Sequence, residues 1–115
     1  MINETDIEAF SEDRHSTNYE RVLEFHEKFC PDMTDGDWSD SVMETRFRLI
    51  EEEFKELVEA WSDDPYNGFE EAVVKEACDL LYVTYGTLSY LGVDADEAFR
   101  RVHVSNMSKL DDNGK

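Results

Sequence analysis

A chain of 115 residues and 13.4 kDa is one ordinary domain, and 40% apolar with 12% aromatic residues is enough to pack an interior, which excludes global disorder. Eleven basic residues stand against 29 acidic ones, a net charge of −18, which argues against binding nucleic-acid backbones or anionic membranes. Any anionic ligand has to be brought in by metal ions or a local basic spot. The longest charge-free stretch, Leu80 to Val93, falls short of the roughly 20 residues that span a bilayer. Cys30 and Cys78 form no close pair, and His15, His26 and His103 are scattered, so neither a disulfide scaffold nor a zinc module is expected. A reducing cytoplasmic setting follows as the expectation.

The chain reads as a single all-α domain over residues 1–115. Residues 1–15 are expected to form a polar N-terminal tail, mobile or loosely docked, and 111–115 a short C-terminal one. A first helix is expected from Tyr19 to Phe29, behind the capping candidates Ser16 and Thr17, with Tyr19, Val22, His26 and Phe29 on one side. After a loop carrying Gly36 and Trp38, a second helix starts near Ser41, whose hydroxyl and Glu44 suit a capping box. Met43, Phe47, Ile50, Phe54, Leu57 and Trp61 give it a stripe expected to be buried. The breaker around Pro65 and Gly68 ends it. A third helix runs from Phe69 to Leu91 and closes at Gly92, a position suited to a left-handed cap. From Ala77 to Leu91 it is apolar almost all round, so it should be covered on every side, in part by another subunit. A fourth opens at Asp94, with Glu97 at capping-box spacing, and continues toward Leu110. No segment alternates as a strand must. The architecture expected is a four-helix bundle.

Two groups of acids need explaining. Glu52, Glu53 and Glu56 share one arc of about 100° on the second helix, beside its apolar stripe. Alone, such a run reads as a solvated face. Glu76 and Asp79, one turn apart, head the most apolar part of the third helix, where an unpaired charge costs several kcal/mol. Lys75 is placed on another side of that helix, and no arginine lies between Arg48 and Arg100. If the two helices are neighbours, five carboxylates converge with too few cations. A hard divalent ion, Mg²⁺ or Mn²⁺, resolves the conflict. A di-iron centre wants Glu-x-x-His on two helices, and the one such spacing, Glu12 to His15, falls in the tail. On the fourth helix Ala95, Phe99, Val102, Asn106 and Lys109 form one stripe, the side expected to be buried, which turns from apolar to amide and ammonium. Beside an acidic metal cluster, Asn106 and Lys109 would serve an anionic ligand such as a polyphosphate; each also reads as an ordinary end-of-helix residue.

Three blocks in order, Arg48 to Leu57, Glu76 to Val83 and Val102 to Leu110, resemble the MazG-like all-α nucleoside triphosphate pyrophosphohydrolases, a superfamily that includes the phosphoribosyl-ATP pyrophosphohydrolases. The resemblance spans about Tyr19 to Leu110. It implies a homodimer or dimer of dimers with a Mg²⁺-dependent site that converts a nucleoside triphosphate to monophosphate and pyrophosphate. By that likeness Glu53, Glu56, Glu76 and Asp79 are metal ligands, Glu52 a ligand or the base for the attacking water, and Asn106 and Lys109 a substrate-binding pair. His26, Trp38 and Trp61 become candidates for the base pocket, with core packing as the alternative for each. Tyr82 and Tyr85 are candidates for pocket or interface, and Arg46 for a phosphate contact. Phosphoribosyl-ATP is the second substrate considered. From another class comes a non-catalytic acidic module that mimics the charge of DNA; it requires acids spread over the surface and no special role for Glu76 and Asp79.

Overall fold

The computed structural model describes residues 16–30, 39–63 and 69–113. They form four helices: α1 Asn18–Phe29, α2 Asp40–Asp63, α3 Phe69–Tyr90 and α4 Ala95–Asn113. Among the described residues there is no strand, and the all-α reading holds. The expected N-terminal tail and Trp38 lie outside the described residues.

The helix ends follow local chemistry. Thr17 caps α1: its hydroxyl accepts from the Glu20 N–H at 3.1 Å and its own N–H donates to the Glu20 carboxylate at 2.8 Å. The cap of α2 lies two residues before the expected Ser41, on Ser39, whose Oγ accepts from the Val42 N–H at 3.4 Å. At the end of α3 the Gly92 N–H donates to the Ser89 carbonyl and the Val93 N–H to that of Leu88, with Gly92 at φ 73°. Only glycine takes that left-handed position without strain. Asp94 caps α4 by accepting from the N–H groups of Asp96 and Glu97. Glu97 does not complete a box, because its carboxylate is drawn to Arg100 and Arg101 at 2.7–3.1 Å and held down to a pKa of about 2. The helix runs on to Asn113, past the expected end at Leu110.

α3 is the central element. α2 packs along it, α1 lies against it as well, and α4 meets it over a short stretch only. The corner between α3 and α4 is tied to α1 by two bonds: Thr17 Oγ1 donates to Asp96 at 2.7 Å, and the Tyr19 hydroxyl donates to the Val93 carbonyl at 2.9 Å.

Two expectations about burial are corrected. The α2 stripe divides: Met43, Ile50 and Leu57 are half-buried, whereas Phe47, Phe54 and Trp61 are each more than half exposed. α3 covers one flank of the stripe, and the inward face is shifted toward Arg46 and Glu53. On α4 Ala95 is buried, but Phe99 is 65% exposed and Val102 55%. In the single chain α3 leaves Val74 and Leu81 more than half exposed and Tyr82 partly so, the side for which cover by another subunit was expected. A single chain therefore leaves much of its apolar surface open.

The interior between α1, α2 and α3 is polar to an unusual degree. His26, Arg46, Thr87 and Ser89 are all buried. Arg46 donates to the Val83 carbonyl at 2.9 Å and to Thr87 Oγ1 at 3.3 Å, and its guanidinium lies 4.7 Å from the centre of the Tyr90 ring. His26 Nδ1 pairs with the Ser89 hydroxyl at 3.2 Å, and that hydroxyl donates to the Gly86 carbonyl. Burial, then the Arg46 charge, lowers the His26 pKa from its usual 6.5. Gly86 makes this layer possible: a Cβ there would strike Arg46 Nη2 and come within 2.8 Å of His26 Cε1.

Candidate metal centre

Because α2 and α3 are neighbours, their acidic turns meet. Glu53, Glu76 and Asp79 each offer a carboxylate oxygen within 4.8 Å of the other two. Glu53 lies on the inward face of α2, seven residues and about 10 Å beyond Arg46. Glu76 and Asp79 share one side of α3 at i,i+3 spacing.

The electrostatics are unresolved by protein groups alone. Glu53 Oε2 and Glu76 Oε2 are buried and accept no hydrogen bond from any described residue. An orphaned carboxylate oxygen is costly, so something else has to satisfy it. Glu56 joins the group: its pKa is raised, first by the Glu53 charge and then by hydrogen bonding with Glu76 and Glu53. All these donors are hard carboxylate oxygens, the chemistry that Mg²⁺ and Mn²⁺ prefer. The residues fit a divalent cation. Glu52 is exposed beside the group, on the outer edge of the same turn.

Lys75 departs from the sequence reading. Its ammonium is not on another side but 2.7 Å from Asp79 Oδ2 and 3.4 Å from Glu76 Oε1. The i,i+4 relation to Asp79 could have revealed this contact, since such pairs meet on a helix surface.

The remaining candidates are dispersed. His26 and Arg46 are engaged in the buried polar layer rather than turned to the carboxylates. Trp61 stands 63% exposed near the end of α2. Tyr82 faces α1, edge-on to Phe25 at 5.7 Å, and lines a groove of about 160 Å³ with Asn18, Arg21, Cys78 and Tyr85. Burial, then Glu24, raises its pKa. Asn106 and Lys109 are exposed on the outer stretch of α4. That helix meets α3 over a short stretch only. Sequence reasoning allowed for a core His26 but missed the buried layer that Arg46, Gly86 and Ser89 form around it. A glycine inside an apolar helix was the available signal for a close approach.

A model of the phosphoribosyl-ATP pyrophosphohydrolase family matches residues 20–106, about three quarters of the chain. The chain belongs to that family. The matched span holds both acidic turns and Asn106 and stops short of Lys109. Among curated proteins no match is found. The family is one of pyrophosphohydrolases, so the orphaned oxygens lie within the matched part of a hydrolase scaffold. No helix among the described residues is long and apolar enough to cross a membrane.

Proposed function

We propose that this protein is a Mg²⁺-dependent hydrolase that cleaves a nucleoside triphosphate to its monophosphate and pyrophosphate, serving the nucleotide pool. The observation that carries the reading is the pair of buried, unpartnered oxygens on Glu53 and Glu76, within reach of Asp79. Glu53, Glu56, Glu76 and Asp79 would hold the cation, with Mn²⁺ as a substitute. When bound, it supplies positive charge for phosphate oxygens that a chain of net charge −18 otherwise repels. Glu52, exposed at the rim of the cluster, is suited to accept a proton from an attacking water. Asn106 and Lys109 would bind the substrate's anionic part.

Two copies would work together. The open apolar surfaces of α2 (Phe47, Phe54, Trp61) and α4 (Phe99, Val102, Met107) support a homodimer or dimer of dimers, since such patches are rare on monomers. Assembly offers α4 a surface that α3 of its own chain does not.

Phosphoribosyl-ATP is the second substrate reading, favoured by the description of the matching family. An acidic module without catalysis is less well supported, because three acids converge where a mimic would spread them. Pyrophosphate release from a panel of nucleoside triphosphates and phosphoribosyl-ATP, with and without Mg²⁺, separates these readings. Release from one or more triphosphates is expected, abolished by Glu53→Gln. No release from any compound would refute the enzyme reading.

A further inference from the structure

The acidic cluster has a cation of its own. Lys75 Nζ lies 2.7 Å from Asp79 Oδ2 and 3.4 Å from Glu76 Oε1, on two of the three side chains whose oxygens converge. The ammonium leaves Glu76 Oε2 and Glu53 Oε2 unmatched, so it neutralises only part of the group. Its side chain is 69% exposed, which leaves it room to swing outward without disturbing the core.

We propose that Lys75 is a built-in competitor for the divalent cation: it holds Asp79 and Glu76 in the metal-free protein and must release Asp79 for the ion to enter. The proposal rests on the metal reading given above and adds a device that sets its affinity. Two consequences follow from electrostatics. The metal-free cluster is kept from flying apart by like charge, because one positive group sits among several negative ones. A divalent ion must displace an ammonium and tolerate its charge nearby, which weakens binding in a salt-dependent way. Lys75 would thereby keep the site responsive to free Mg²⁺ rather than permanently filled.

The test uses the intact protein and Mn²⁺ alone, followed by titration calorimetry. Lys75→Met keeps the stem and removes the charge; Mn²⁺ should bind it about three- to tenfold more tightly than wild type, the range that one exposed ion pair and one repelled charge allow. Lys75→Arg should stay within about twofold of wild type. The gain of Lys75→Met should shrink in concentrated KCl, and its metal-free form should melt at lower temperature than wild type. Unchanged or weaker Mn²⁺ binding by Lys75→Met would overturn the proposal, since it would make Lys75 inert or a support for Asp79. Wild-type protein that binds no Mn²⁺ would overturn the metal reading together with this one. The two failures are thus distinguishable.

Discussion

Gly86→Ala sets two effects of opposite sign against each other. Gly86 lies inside α3 with ordinary helical backbone, so alanine should improve helix propensity by about 1 kcal/mol. The added methyl, however, would collide with Arg46 Nη2 and press on His26 at 2.8–3.1 Å. Neither neighbour can yield cheaply. Arg46 is fixed by the Val83 carbonyl, Thr87 and the Tyr90 ring, and His26 by Ser89. Overpacking of this kind costs about 1–3 kcal/mol, and prising a buried charge from its partners costs about 3–5 if the contacts are lost outright. With partial relaxation the net loss should be about 2 kcal/mol, or about 8 °C in Tm for a chain of this size. Urea and thermal unfolding monitored by helical circular dichroism at fixed protein concentration measure it. A Gly86→Ala protein as stable as wild type, or more so, would refute the close-approach argument. In an Arg46→Ala background the penalty should shrink, which a double-mutant cycle reads directly.

Glu53→Gln should abolish turnover while raising the metal-free melting temperature, because it removes a charge within 4.8 Å of two others, worth about 1 kcal/mol in water. Asp79→Asn should also abolish turnover but gain less, since it forfeits the ion pair with Lys75. Stability should fall on acidification below about pH 6.5: His26 has a lowered pKa in the fold, so the unfolded chain takes up the proton first and is favoured as pH drops. His26→Gln should flatten the urea midpoint between pH 8 and pH 5.5, and an unaltered slope would count against it. Lys109→Ala should raise KM with metal affinity little changed; steady-state kinetics alongside Mn²⁺ titration separates the two.

What was legible in the sequence was whatever depends on near neighbours along the chain. The Thr17 and Asp94 caps, the glycine end of α3 and the acidic turns are local, and all stand where their chemistry demanded. The meeting of Glu53 with Glu76 and Asp79 was legible too, because a helix that carries acids beside its apolar stripe has few ways to place them. Burial was harder. The spacing of Phe47, Phe54 and Trp61 says that these residues share a face with Met43 and Ile50, but not which half of that face the next helix covers. The Arg46 layer was hidden for a different reason. A buried guanidinium is tolerated only when carbonyl, hydroxyl and ring arrive from a separate helix, and no single segment records that agreement.

The joint between α3 and α4 is braced where Thr17 grips Asp96, where Tyr19 grips Val93, and where Gly92 turns the backbone. Beyond it α4 meets α3 over a short stretch only, and Lys109 stands some 21 Å along the helix from Ala95. A tilt of about 5° at the root would carry that ammonium nearly 2 Å sideways, enough to misalign a phosphate contact. Thr17 and Tyr19, which brace that root, thus help set the direction of α4, and their replacement should register first as imprecision at the far tip.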